Sequence, residues 1–579
     1  MASTSFDPVQ IEILKNALTS IADEMALTIL RTAHSSIIKD GADFSTALCG
    51  PTGELLIQGL TIPQHLGSIP DALAAVLRHY PEGLNPGDIL IQNNPFDGAM
   101  HLQDIFVFKP VFLPGDSSKL IAFACSIAHH TDVGGRVPGS NASDSTEIYQ
   151  EGIRFPVIKL YDAGVANQAV LDILATNVRV PHMVLGDLRA TLAACHYGER
   201  EYLKLVERYT PERLEQLLED YLDYTERLTR EEIRRLPQGT FTFKDFIDND
   251  GISEDVIPLQ VSITIKDDEI VADYTGSSRQ VRGALNATES FTKANTYLAL
   301  RCVFHGDLPN NSGFFRPIKV IAPKGTIFNV QHPGACAARG LTGFRQADLV
   351  MGALAKAVPD RVTAAPEGGN TFVSIGGYDD ETGPFVHCDM IFGAWGGSRY
   401  RAHGDAMPMV PSNCTNIPIE IIEASLPLRC EQYGFVPDTG GAGKSRGGLS
   451  IIRDLRLLRG EAILQVRSDR NTINPWGLFG GADGTPSANH VNPDSQPSGL
   501  ASKITMQIKA GDLYRHQTGG GGGYGDPAER RFEDIEDDLR NDKLTAGYVA
   551  RHYRVVVAAD GVSVDRDATA TLRSSPIAA

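Results

Sequence analysis

Ile11, Leu14, Leu18, Ile21, Met25 and Ile29 recur at steps of three and four residues, the stripe of one helix face. Asp7 stands where an N-cap acceptor belongs, and Pro8 suits a first turn. The pattern then changes period. Residues 43–60 read as a hairpin around a Gly50-Pro-Thr-Gly turn, and residues 88–92, 105–112 and 120–128 read as strands. Thr210-Pro211 opens a helix with Leu214, Leu217, Leu218, Tyr221 and Leu222 on one side, and its charged continuation ends at Pro237. Strand patterning dominates residues 239–335, residues 344–358 look helical, and a glycine-rich, strand-rich stretch runs to Asp526. From there a helix is expected through Leu539, then a final strand from Tyr553 and a frayed end.

Blocks of strand and helix without regular βαβ alternation predict an α+β fold. The expected form is multidomain, with large mostly antiparallel or mixed sheets, an N-terminal helix and a C-terminal Gly-rich β region. The chain has 579 residues, whereas single cores stop growing at about 250–300, so several domains are expected. We divide it into an N-terminal metal-binding domain (1–237), a central β-rich domain (238–365) and a Gly-rich α+β domain (366–579).

Net charge is −18, from 53 basic against 71 acidic residues, which disfavours nucleic acid and anionic membranes as partners. No apolar run approaches the length of a membrane span, and the first residues lack the basic and apolar regions of a signal peptide. Eight cysteines without a C-x-x-C pair read as free thiols of a reducing compartment, so a cytoplasmic location is expected.

The richest chemistry lies in Asn94-Pro-Phe-Asp-Gly-Ala-Met-His-Leu-Gln-Asp104, between two strands. His101 and Asp104 sit at a strand entrance. A later strand ends in His129-His130-Thr131-Asp132. If residues 105–112 and 120–128 pair as a hairpin, His129 or His130 comes beside His101 and Asp104. Asp43, at the start of a third strand, completes a set of imidazoles and carboxylates of the kind that binds Zn²⁺, Mn²⁺ or Fe²⁺. Adjacent residues at a strand end point to opposite faces, so one of the two histidines binds. The other, with Asp132, is a candidate for proton transfer.

Asp43-Phe-Ser, Asn94-Pro-Phe…Gly98…His101-Leu-Gln-Asp104 and His129-His-Thr-Asp-Val-Gly-Gly…Pro-Gly-Ser140 resemble the hydantoinase B/5-oxoprolinase family. So do Asp273-Tyr-Thr-Gly-Ser-Ser, Asp438-Thr-Gly-Gly-Ala-Gly-Lys-Ser-Arg-Gly-Gly and Thr518-Gly-Gly-Gly-Gly-Gly-Tyr-Gly-Asp-Pro527. The resemblance implies metal ligands Asp43, His101, Asp104 and His129, which leaves His130 and Asp132 as catalytic candidates. It implies a divalent metal, Zn²⁺ ahead of Mn²⁺, and a hydantoinase A-type partner subunit that binds ATP and Mg²⁺, in an α2β2 heterotetramer. The implied activity is ATP-dependent opening of a cyclic amide of hydantoin, 5-oxoproline or lactam type. An ATP-dependent carboxylase subunit of the acetone or acetophenone carboxylase type, and a non-catalytic scaffold with a structural metal, are the alternatives.

Other motifs weigh less. Gly440-Gly-Ala-Gly-Lys-Ser445 looks like a phosphate loop, but Asp438 takes the place of its first glycine and a strand pattern follows where a helix is required. The run Gly519–Gly523 reads as a hinge or close backbone crossing rather than an anion nest. Cys336 and Cys414 read as core residues rather than nucleophiles. Whether His65 approaches the cavity is left open by the sequence.

Overall fold

The computed structural model describes residues 7–59, 62–65, 67–369, 371–381, 383–400, 404–407, 410–496 and 498–574. The expected frayed end, residues 575–579, lies outside them. Helix α1 (Pro8–Thr32) starts as anticipated: the Asp7 carboxylate accepts from the Val9 and Gln10 amides at 3.1 and 3.2 Å. Its apolar stripe is buried against the helix Pro181–Tyr209 and the first sheet.

That sheet comprises β1 (Phe44–Cys49), β2 (Leu55–Gln58), β3 (Ile89–Gln92), β4 (Asp104–Leu113), β5 (Asp116–His129), β6 (Ile158–Asp162) and β7 (Val165–Ala166). The order is β2-β1-β5-β4-β3-β6-β7, with every pair antiparallel. Both faces are covered. Ile105, Val107, Ala122, Ala124 and Ala128 join the core of α1, while Phe106, Phe108, Phe123, Cys125 and Ile127 face the helix Ser68–His79. Two-sided burial is why these strands read as continuous apolar runs instead of alternating ones. Each fully buried large side chain contributes about 1.5–3 kcal/mol.

A second sheet, ordered β11-β10-β9-β8, uses β8 (Gly239–Ile247), β9 (Ile257–Lys266), β10 (Glu269–Asp273) and β11 (Ile318–Ile321). Leu259, Val261, Ile263 and Ile265 are buried while their β9 neighbours are more open, so one face is covered. The helices Glu289–Val303 and Gly340–Leu354 cover it, and the second is buried on every side. Two further four-stranded sheets share one core. The first contains β12 (Thr371–Asp379), β13 (Gly383–Ile391), Glu461–Arg467 and Lys503–Lys509. No helix among the described residues is long and apolar enough to cross a membrane.

Two elements differ from expectation. The Asp526–Leu539 helix is broken into a turn at Pro527–Glu529 and a helix at Phe532–Arg540. Arg530 adopts extended backbone between them and buries its guanidinium against Asp538, which also takes Arg446. The final strand shrinks to Val556–Val557, paired with Val564–Asp565, and the described chain ends in a helix, Arg566–Ser574.

The glycine-rich segments are threads laced to one another by backbone hydrogen bonds. Gly441 and Gly397 donate to Gly521 and Gly522 carbonyls at 2.8 Å, and Gly523 donates to Ala482 at 2.8 Å. A Cβ at Gly521 would stand 2.1 Å from the Trp395 carbonyl oxygen, and one at Gly523 would stand 2.2 Å from that of Ala442. Backbone meets backbone here, so no flexible side chain can yield. This is the close crossing expected for residues 519–523. Gly521→Ala is therefore expected to cost on the order of 4 kcal/mol or more. Gly434→Ala, which meets nothing within 4 Å, is expected to be near neutral. Thermal unfolding of the two variants checks the contrast, and equal midpoints would refute it.

Candidate metal centre

Strand pairing assembles the site. β4 and β5 form a hairpin whose register sets Asp104 opposite His129. β1 lies on the other side of β5 with Phe44 opposite Ala128, and the His129 amide donates to the Asp43 carbonyl at 3.0 Å. His101, in the turn before β4, completes the group. His101, Asp104 and His129 offer ligand atoms all within 4.8 Å of one another. Asp43 lines the same cavity, and all four residues are buried.

Proton bookkeeping defines what the group lacks. The Nδ1 of His101 lies 3.1 Å from the Ala337 carbonyl, so it carries the proton. Its Nε2 then presents a lone pair, 3.1 Å from the Asp104 carboxylate, and makes no hydrogen bond. Burial pushes His101 down to about 4, so at neutral pH no proton on Nε2 resolves the contact. Two lone pairs facing at this distance call for a cation. His129 has an unpartnered buried Nδ1, and burial holds it well below its ordinary value. Burial and the neighbouring Asp104 push Asp43 up to about 8, against the pull of Arg339 and Arg467. Burial also opposes ionisation of Asp104, but His101 and Arg339 outweigh it and keep that group well below the usual carboxylate range. The donor set of nitrogen and oxygen atoms suits a divalent ion such as Zn²⁺ or Mn²⁺.

His65 belongs to the same cavity. Its Nδ1 lies 2.8 Å from Ser45 Oγ, which itself donates to the Ile62 carbonyl at 3.2 Å. The serine proton is thus committed, His65 Nδ1 is the donor, and its Nε2 lone pair faces Asp104 at 3.9 Å. Burial pushes His65 down to about 4.

Three residues of the surroundings carry no signal in the sequence. Arg339 donates to Asp104 at 2.5 Å, and Arg467 donates to Asn141 Oδ1 at 3.0 Å and the Ala337 carbonyl at 3.4 Å. Both line the cavity. Glu151 is buried, and one oxygen accepts from the Cys336 and Ala337 amides at 2.7 and 2.8 Å. It thereby anchors the backbone of Ala337, the residue whose carbonyl sets the His101 tautomer. Burial raises Glu151 to about 8 against those hydrogen bonds.

The proposed catalytic pair has different surroundings. His130 does not line the cavity; its amide donates to the Gln103 carbonyl at 2.9 Å, and its buried ring nitrogens make no hydrogen bond. The Asp132 carboxylate accepts from the Gly134, Gly139 and Arg179 amides and from Arg179 Nη1, so it braces the loop after β5. Cys336 and Cys414 are buried, and burial raises both thiols well above their ordinary value, which removes them as nucleophiles. The Gly440–Ser445 run leads into a strand, Ser450–Leu457, and Lys444 pairs with Glu529 at 2.9 Å on the surface.

A buried His/Asp cluster at the mouth of an antiparallel hairpin, inside a multidomain α+β fold, defines a class of candidate metal-dependent enzymes. Residues 7–527 match the hydantoinase B/oxoprolinase family model, and the chain belongs to that family. It is 33% identical to a putative B-type subunit of a D-/L-hydantoinase from a Pseudomonas species over 98% of both chains. The crystal structure of the ATP-dependent caprolactamase from Pseudomonas jessenii superposes with a TM-score of 0.91 at 26% identity, covering 99% of this chain and all of that one. A nucleotide-free acetone carboxylase shares the fold, with a TM-score of 0.87 at 19% identity over 98% of this chain and 82% of that one.

The Glu151 clamp can be tested apart from the ligands. Glu151→Ala strands two amides and is expected to weaken metal binding about 10–100-fold, whereas Glu151→Gln, which keeps an acceptor, retains most of it. A carboxyl raised to about 8 in the fold favours the unfolded state as it ionises. Wild-type stability should therefore fall relative to Glu151→Gln as pH rises from about 4.5 to 8, by a few kcal/mol at most. Parallel denaturation curves at pH 5 and 8 would refute this.

Proposed function

We propose that this chain is the metal-carrying, hydrolytic subunit of a two-component ATP-dependent enzyme that opens a cyclic amide. The metal ligands are Asp43, His101, Asp104 and His129. One observation carries the metal assignment: His101 Nε2 and the Asp104 carboxylate face each other at 3.1 Å, buried, with the imidazole proton committed to Ala337. The substrate class rests on the relatives, a hydantoinase of B type and a caprolactamase. We take Zn²⁺ ahead of Mn²⁺, an α2β2 assembly, a cytoplasmic location, and ATP with Mg²⁺ on a hydantoinase A-type partner.

An unstrained amide resists water because of its resonance, and its opened form can close again. Phosphorylation of the amide oxygen by the partner removes both obstacles. The divalent ion, when bound, would polarise the carbon–oxygen bond and lower the pKa of an attacking water. His65 is placed to take that water's proton on Nε2, since Ser45 holds the proton on Nδ1. This moves the proton-transfer role from His130 and Asp132 to His65. Phe372 and Phe344 line the cavity and limit competing water.

The acetone carboxylase likeness, at 19% identity, is one of fold. Labelled bicarbonate distinguishes the two chemistries: retention of label in the product would identify a carboxylase. In the purified two-subunit complex, His101→Ala is expected to lose the metal and to slow ATP-dependent ring opening by on the order of 10²-fold or more. His65→Gln is expected to keep the metal and to lower kcat about 10²–10⁴-fold. Ring opening at the normal rate in His101→Ala would end the catalytic role of the centre. A chain that unfolds on chelation would instead mark the metal as structural.

A further inference from the structure

A second cavity lies far from the metal position. The helices Pro181–Tyr209 and Pro211–Arg234 are joined by one residue, Thr210, whose φ of 62° breaks the helical path, and Pro211 starts the second helix. Where they meet the β1–β2 turn and the start of β5, a space of about 230 Å³ remains. Leu120 in its wall precedes His129 by nine residues of β5, about 30 Å of extended chain. Leu214, Leu218 and Leu222 recur every fourth residue, so one stripe of the second helix lines the space, with Leu56 from β2. Glu215 and Glu219, each one position further along, are exposed beside that stripe, and Glu54 enters from the hairpin.

Three carboxylates and one ammonium, that of Lys119, line it, so the described lining carries two negative charges in excess. Lys119 pairs with Glu215 at 4.0 Å and in the open, which offsets little. Thr52 donates to the Glu54 carboxylate and orients it. Tyr202 also lines the space and is 1% exposed, yet no described residue hydrogen-bonds its hydroxyl. Burial, and then the nearby Glu54 and Glu215, raise that hydroxyl above its ordinary value, so it keeps its proton. Its oxygen can still accept, and a buried polar group left without a partner is costly. We propose that this cavity binds a small alkylammonium, with its chain along Leu56, Leu214, Leu218 and Leu222 and its N–H groups shared between the Tyr202 hydroxyl and the carboxylates of Glu54 and Glu215. An ammonium supplies donors where the lining supplies acceptors, and its charge offsets the excess. A carboxylate end would add to the repulsion, and an uncharged end would leave it. The volume falls short of the roughly 300–1,000 Å³ of sites for drug-sized molecules, which limits the ligand to a short chain or a single ring. None of these residues lines the metal cavity, so the two readings are independent.

The test uses the purified full chain, with n-hexylammonium as the probe and 1-hexanol and hexanoate as controls of equal chain length. Saturation transfer from protein to the alkyl protons detects binding, and calorimetry ranks it. Hexylammonium is expected to bind at least about tenfold more tightly than hexanol, and hexanoate more weakly than either. Changing Glu54→Gln and Glu215→Gln together should lower hexylammonium affinity at least about tenfold and leave hexanol affinity unchanged. Tyr202→Phe should lower it about threefold or more. Equal affinity for hexylammonium and hexanol, binding untouched by the two glutamines, or no saturation transfer with millimolar probe overturns the site. If Tyr202→Phe does not fold, the glutamine pair decides, since Glu215 is exposed and its replacement leaves the core intact.

Discussion

Antiparallel register between β4 and β5 is the constraint on which the site depends. Asp104 opposes His129 because Ile105 opposes Ala128 and Phe106 opposes Ile127, and so on along the hairpin. A slip of one residue would send every side chain to the other face. The two faces are not interchangeable: aliphatic residues fill the core under α1, while Phe106, Phe108 and Phe123 fill the opposite core. A shifted strand would drive phenylalanines into space shaped for valine and alanine. Packing far from the chemistry thus fixes which atoms meet at the strand mouth.

The cavity is walled by segments remote in sequence. Asp104 and His129 come from the first sheet and Asp43 and His101 from the segments that lead into it, Arg339 and Gly340 from the start of the helix that covers the second, and Phe372, Met390 and Arg467 from a third. The first core likewise takes in Cys336, Phe344, Phe372 and Met390. Electrostatic balance in the cavity therefore requires all of these layers to be docked, and the first sheet alone would bury carboxylates without their counter-charges.

This arrangement explains what was legible in the sequence. The hairpin was, because β4 and β5 are long apolar runs, and a His-x-x-Asp at a strand entrance points its side chains to one place. The choice between His129 and His130 was not, since two-residue alternation says they diverge without saying which faces the cavity. Arg339 and Arg467 were invisible for a different reason. Arg467 ends a strand and Arg339 precedes a helix, positions where arginine is ordinarily solvated, and Arg339 and Asp104 are 235 residues apart. Glu151 reads as a loop acid until the 336–337 peptide is seen against it. Near the C-terminus the pattern from Asp526 suggested one helix through Leu539, but Arg530 turns extended and forms a buried ion pair with Asp538 that local pattern does not encode.

The glycine threads have a consequence for how order in this molecule is perceived. Their amides are tied to carbonyls of neighbouring threads, yet residues 519–523 belong to neither helix nor sheet. Far-ultraviolet circular dichroism would count them as coil, while deuterium would enter them as slowly as it enters a strand core, because exchange follows opening of the hydrogen bond and not the name of the conformation. Rigidity here comes from the absence of side chains, which lets backbones approach one another as closely as the strands of a sheet.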